Sequence, residues 1–145
     1  MTGDPAGRVL ARFELVVERG KIREFARATG STNPAYLEDE RPPVPPTFLM
    51  SAAHWLPADA PRPYEALGFD LRRVLHGEQE FRFRCPLPRA GDRLTVEIRI
   101  DSLSEKAGRR GGTMRFGRVV TDFTGPGGNL VAQGFATTIE TEPQP

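Results

Sequence analysis

Thr47-Phe-Leu-Met-Ser-Ala-Ala-His-Trp55 is the stretch around which the rest of this chain has to be arranged. Pro46 before it suits the first turn of a helix, where a missing N–H costs nothing, and Pro57 after it stops one. Between the two prolines the side chains are apolar on nearly every side. A helix without a strong polar face is normally wrapped by other structure. The sequence therefore predicts a central helix over residues 47–55 and requires something to enclose it.

The C-terminal half supplies the enclosure. After Tyr64-Glu-Ala-Leu-Gly68 the pattern turns to sheet: residues 74–84 alternate, with Phe81 and Phe83 on one face and Arg82 and Arg84 on the other. Ala90-Gly-Asp92 turns the chain into a second alternating run over 94–100. A glycine- and arginine-rich turn over 106–112 leads to strands over 114–123 and 130–141, separated by Gly125-Pro-Gly-Gly128. Upstream, 12–17 reads as an opening strand or extended segment. Residues 21–29 read as a helix with Ile22, Phe25 and Ala26 on one face. Gly30 sits where a left-handed C-terminal cap is wanted. From Leu37 to Pro45 the prolines are expected to forbid both helix and ladder. Helices first and antiparallel strands second is the α+β pattern, with the sheet curling around 47–55. Residues 3–7 and 142–145 read as frayed ends.

Composition narrows the function. A chain of 145 residues, 38% hydrophobic and 27% charged, suits one globular domain with a real core. A formal net charge of +1 exerts no global pull on nucleic acid or membrane. No apolar run approaches the roughly 20 residues that span a bilayer, and the N-terminus lacks the apolar centre of a secretory signal. A cytoplasmic setting is the expectation. The single cysteine, Cys85, excludes an internal disulfide and a thiolate metal cluster; no metal or other cofactor is expected, and Cys85 reads as structural. Arginines gather at 72–73, 82 and 84, 89, and 109–110. They fit solvated faces and turns, or a rim that attracts the phosphates of a carrier-bound substrate.

The candidate site is the loop Ala28-Thr-Gly-Ser-Thr-Asn-Pro-Ala-Tyr36, followed by Arg41-Pro-Pro-Val-Pro-Pro-Thr-Phe48. A shaped loop between two helices can hold a ligand. Ser31, Asn33 and Tyr36 supply hydroxyls and an amide, yet no imidazole or carboxylate lies between Ser31 and Tyr36. Ser31 can end the helix or bond the turn backbone, and Asn33 shapes an Asn-Pro turn. Of the two histidines, His54 reads as a helix-end residue. His76 enters a strand beside Gly77, which permits a bulge or a close approach. Strict alternation would put Glu78 on the face of His76, a pair capable of proton transfer. Gly125-Pro-Gly-Gly128 is no nucleotide cradle, because no helix follows it.

These words in this order resemble the MaoC-like (R)-specific hydratases and dehydratases, and within them the N-terminal dehydratase subgroup. The matching pieces are residues 21–30, Asn33-Pro-Ala-Tyr36, Pro45-Pro-Thr-Phe48, Leu75-His-Gly-Glu-Gln-Glu-Phe81 and Arg89-Ala-Gly-Asp-Arg-Leu94. The resemblance implies one hot-dog domain over residues 8–142, a curved antiparallel sheet around a central helix, with dimerisation edge to edge. It implies acyl thioesters of coenzyme A or carrier protein as ligands, contacted by Asn33, Tyr36, Pro46, Thr47, Phe48, His76 and Gly77. Active members carry an Asp and, five residues later, a His after the first helix; the imidazole handles the C2 proton and the carboxylate the water or hydroxyl. Those positions fall on Ser31 and Tyr36. Hydroxyl groups titrating near 10 or higher make poor general bases. The expected role is thus a non-catalytic subunit, homodimeric or paired with a dyad-bearing hot-dog protein in fatty-acid metabolism. Two alternatives are a stand-alone acyl-thioester sensor and a hydratase whose base has moved to His76 with Glu78.

Overall fold

The computed structural model describes residues 5–84, 86–108 and 111–142. Residues 1–4, Cys85, Arg109, Arg110 and 143–145 lie outside the described residues, and so do the readings made of them; of the N-terminal stretch read as frayed, Gly7 is tied down, its N–H donating to the Ile100 carbonyl at 2.8 Å. Five antiparallel strands form one sheet in the order β1-β3-β4-β5-β2. They are β1 (Val9–Val16), β2 (Val74–Phe83), β3 (Arg93–Ala107), β4 (Thr113–Thr124) and β5 (Leu130–Glu140). The α+β expectation and the single sheet hold. β3 runs past the predicted end because a bulge after Ile100 lets the chain keep pairing with β4.

Alternation decides the faces. Val96 opposes Phe123 and Ile100 opposes Val119, and all four are buried against the helices. On the opposite face Arg82 and Arg118 place their guanidinium groups over the Phe135 ring. The inner face carries α1 (Arg19–Ala28), whose Ile22 and Ala26 are buried. Gly30 ends this helix with φ +72°, the left-handed cap expected of it. The chain then makes one short turn of helix, α2 (Pro34–Leu37), which Arg23 ties to α1 by donating from Nε to the Leu37 carbonyl at 2.9 Å.

Two expectations need correction. Prolines do not exclude pairing over 37–45: Val44 N–H donates to the Pro88 carbonyl, and Pro42 accepts from Ala90 N–H, forming an isolated bridge at Pro43 and Arg89. The residues between prolines keep their amides, and the prolines keep their carbonyls. Arg41 closes this junction on Asp92 at 2.8 Å.

The second concerns the central helix. Residues 48–55 form a 3-10 helix that is buried on part of its surface only. Phe48, Leu49 and Ala52 are buried, while Met50 remains 45% exposed. With three residues per turn, side chains at i and i+3 eclipse. Leu49 and Ala52 share one stripe, Met50, Ala53 and Leu56 a second, and Phe48, Ser51 and His54 a third. Three surfaces therefore run along one short helix, and each meets different surroundings.

A strap follows it: α3 (Pro63–Ala66), then a short 3-10 turn (Leu71–Arg73) leading into β2. Leu67 seats against Gly117, where an added methyl would overlap the leucine Cδ1. No helix among the described residues is long and apolar enough to cross a membrane.

Candidate functional site

The loop after α1 is built from its own hydrogen bonds. Ser31 N–H donates to the Ala26 carbonyl at 2.8 Å, and Ser31 Oγ accepts from Asn33 N–H at 3.3 Å. Asn33 Oδ1 caps α2 by accepting from Ala35 N–H at 3.0 Å, the usual use of Asn at a helix start. Tyr36 is half-buried and packs on the core, its hydroxyl unpaired among the described residues. Ser31 and Asn33 thus spend their polar atoms on the turn. The loop holds no acid–base pair.

Between the 3-10 helix and the inner sheet face lies a cavity of about 190 Å³. Leu49, Met50, Ala53 and Leu56 form its roof, and Phe81, Gly134, Ala136, Val119 and Ile98 its floor. Arg62 and Pro63 of the strap close one side, and among the described residues Arg62 is the only ionisable one that lines it. Small residues at alternate positions of β5 (Ala132, Gly134 and Ala136) keep the floor low opposite Phe83, Phe81 and Gln79. The sequence shows that alternation of small residues, but the room it leaves exists only because the 3-10 helix lies over β5. Of the residues expected to touch a ligand, Asn33, Tyr36, Pro46, Thr47, His76 and Gly77 do not line this cavity. Phe48 lines a separate groove of about 370 Å³ between the 3-10 helix and α1, beside Phe25, His54 and Ser51. Ser51 Oγ is buried there without a hydrogen-bond partner among the described residues.

The His76–Glu78 pair does not form. A bulge at Gly77 sets His76 opposite Thr138 but Glu78 opposite Thr137. Neighbouring residues of β5 point to opposite faces, so one extra residue puts imidazole and carboxylate on opposite sides of the sheet. His76 falls on the face of Thr138, which lines the cavity, and Glu78 on the outer face. Gly77 does mark a bulge, as its identity suggested. His54 is an exposed helix-end residue in edge contact with Trp55.

The buried ionic site lies elsewhere and had no sequence signal. Glu140 is 4% exposed. Its Oε1 accepts from Asp70 N–H at 2.7 Å and from Arg73 at 2.9 Å, and its Oε2 accepts from Arg115 at 2.9 Å. Burial alone would raise its pKa, but the Asp70 amide and the two guanidinium groups outweigh that and hold it below the usual carboxylate value. Asp70 is held well below the usual range by the Arg72 side chain and backbone N–H. Glu80 is lowered by Arg82, which binds it through Nε at 2.6 Å. Arg72, Arg73, Arg82 and Arg89 are each engaged with a carboxylate. That fits the solvated-face reading of the arginines better than a free phosphate rim.

A family model described as FAS1-like, dehydratase domain region, matches residues 5–134. The chain belongs to that dehydratase family. Its fold is the MaoC-like hot-dog, as the sequence words implied. A UPF0336 protein of Streptomyces griseus is 42% identical to this chain over 100 residues, and the match covers 63% of this chain and 65% of that protein. The match spans slightly less than two thirds of the length of this relative and of two further Streptomyces UPF0336 proteins. Among solved structures, the C-terminally truncated HadBC (3R-hydroxyacyl-ACP dehydratase) complex of Mycobacterium tuberculosis superposes with a TM-score of 0.71 at 22% identity, covering 95% of this chain and 99% of that one. A MaoC-like dehydratase gives a TM-score of 0.71 at 25% identity, covering 92% of this chain and 42% of that one. Both superpositions extend along nearly the whole of this chain.

Proposed function

We propose that this protein is an acyl-thioester-binding subunit of a (3R)-hydroxyacyl dehydratase or enoyl hydratase, silent on its own and completed by a dyad-bearing hot-dog partner. The observation that carries the reading is the pairing of an apolar cavity with a loop emptied of proton-transfer groups. A slot lined by aliphatic and aromatic side chains suits an acyl chain, whose transfer from water is favourable at about 25 cal/mol per Å². Hydration of an enoyl thioester needs a base to activate water and an acid to protonate C2. Ser31 and Tyr36, at the positions the resemblance gives to that pair, supply neither near neutral pH. The bulge that separates His76 from Glu78 speaks against a relocated pair.

The test is a hydration assay on crotonyl and longer enoyl thioesters, with the pure protein and with a dyad-bearing hot-dog partner added. Turnover is expected only in the mixture. Replacing Ala136 by Leu, which lowers the cavity roof-to-floor distance, is expected to impair long acyl chains more than crotonyl. Vigorous hydration by the protein alone would overturn the reading. Tight binding of acyl thioesters, with no partner able to restore turnover, would favour a stand-alone binding role instead.

A further inference from the structure

The slot beneath the 3-10 helix differs between its two ends, and its polar lining gathers toward one of them. Pairing of β4 with β5 orders the floor in rows, from Phe123 with Ala132 at one end to Gly117 with Thr138 at the other. From Ala132 to Thr138 the floor runs about 20 Å. Phe123 in the first row is buried. Gln79 lies opposite Ala136, one row short of Thr138. Leu67 seats on Gly117, the β4 partner of Thr138, so the strap crosses the sheet at this last row. Arg62 stands just ahead of that crossing and also lines the slot. A guanidinium, a hydroxyl and an amide thus mark one end, and among the described residues Thr121 is the one polar lining residue deeper in.

Arg62 is held in place by its backbone and left free at its head. Pro61 and Pro63 on either side restrict its conformation, and its N–H donates to Glu65 Oε2 at 2.8 Å. Its guanidinium engages no carboxylate among the described residues. Further along the strap and on β4, Arg72, Arg73 and Arg115 each hold Asp70 or Glu140. A cation at the end of an apolar wall selects an anion attached to hydrocarbon, because one ligand then satisfies the wall and the charge together.

We propose that the slot takes a hydrocarbon chain that ends in a carboxylate, received by Arg62 with Thr138 at the same end. The proposal rests on the reading of the slot as an acyl-chain site and names the class of chain. Arginine's planar fork binds a carboxylate through two N–H groups, and a threonine hydroxyl can donate to either oxygen. Two kinds of molecule present such an end: a free fatty acid, and an acyl thioester whose chain carries a second carboxylate far from the sulfur. The phosphate of a carrier arm is not a third. The arm sets that phosphate well away from the hydrocarbon, whereas Arg62 borders the same space that the hydrocarbon fills.

The test is calorimetric titration of the full chain with octanoate, octanol, octanoyl-pantetheine and the pantetheine monothioester of octanedioate. Octanol and octanoyl-pantetheine report whether the slot takes a chain at all, and the two carboxylates report the inference. A carboxylated probe is expected to bind on the order of tenfold more tightly than its uncharged counterpart, with the margin shrinking as salt is added. Arg62→Gln should remove the margin and leave the neutral probes unchanged, while Arg62→Lys should keep part of it. Ala136→Leu, which fills the floor, should weaken every probe. A margin for octanoate identifies a free fatty acid, and one for the octanedioate thioester identifies a carboxylated acyl group; each upholds the proposal. The comparison of probes on wild type stands by itself should a variant lose its fold. Neutral probes that bind with no margin for either carboxylate, or a margin that survives in folded Arg62→Gln, would overturn the proposal and leave the acyl-chain reading standing. Failure of every probe to bind would overturn both.

Discussion

The loop at 31–36 and the corner around Glu140 occupy different parts of one small sheet, and they use polar groups in opposite ways. In the loop, Ser31 and Asn33 satisfy backbone amides a few residues away. Everything needed is local, neutral and partly exposed. At Glu140, a buried anion gathers two guanidinium groups and a backbone amide from two other segments, the turn at 70–73 and β4. Removing a neutral turn bond costs little. Removing one member of a buried charge cluster leaves the others desolvated and unpaired. The place that resembles a catalytic site is therefore energetically quiet, and the strongest electrostatics serve to hold the strap onto β4 and β5.

The largest expected effect tests the quiet side. Installing Ser31→Asp with Tyr36→His should raise hydration of a crotonyl thioester by on the order of 10² over the unmodified protein. If the rate stays at background while the variant binds thioester, the loop does not face the reacting carbons. On the other side, Glu140→Ala should cost about 3 kcal/mol of stability in urea unfolding, because Arg73 and Arg115 lose their shared partner. A cost like that of an ordinary surface change would show that the cluster is replaceable by water.

The same corner should respond to acid. Because Glu140 has a lowered folded-state pKa, its contribution is fully present above the unfolded value of about 4.3 and is lost as pH falls through the folded value. Asp70 and Glu80 act in the same direction. Wild type should thus lose stability more steeply below about pH 4.3 than Glu140→Gln. Equal slopes in thermal melts would remove this linkage.

A smaller effect is expected where strap and sheet touch without charge. Gly117→Ala presses a methyl into Leu67 and should destabilise by about 2 kcal/mol, with partial recovery when combined with Leu67→Val. The least is expected back in the loop. Asn33→Ala removes only the cap of α2, about 1 kcal/mol by chemical denaturation.

What was legible follows from how far each interaction reaches along the chain. Alternation over 74–84 and 94–100 and the Gly30 cap are patterns among neighbours, and neighbours are what a sequence displays. Gly77 signalled a bulge, but the phase change it imposes depends on which β5 residues lie opposite, and that separated His76 from Glu78. The cavity needed a helix lying over β5, although the small residues at 132, 134 and 136 hinted at room. Glu140 gave no hint at all, sitting near a terminus with its arginines 67 and 25 residues away.

Residue order alone settled the α+β layout, the family and the absence of a carboxylate–imidazole pair from the loop, since each depends on spacing within one short segment. Tertiary structure decided that the central helix is a half-open 3-10 helix, that an apolar slot lies beneath it, and that the strongly buried carboxylate of Glu140 is a clasp. Those outcomes depend on which surfaces meet, and contacts between distant segments are created only when the sheet closes beneath the helices.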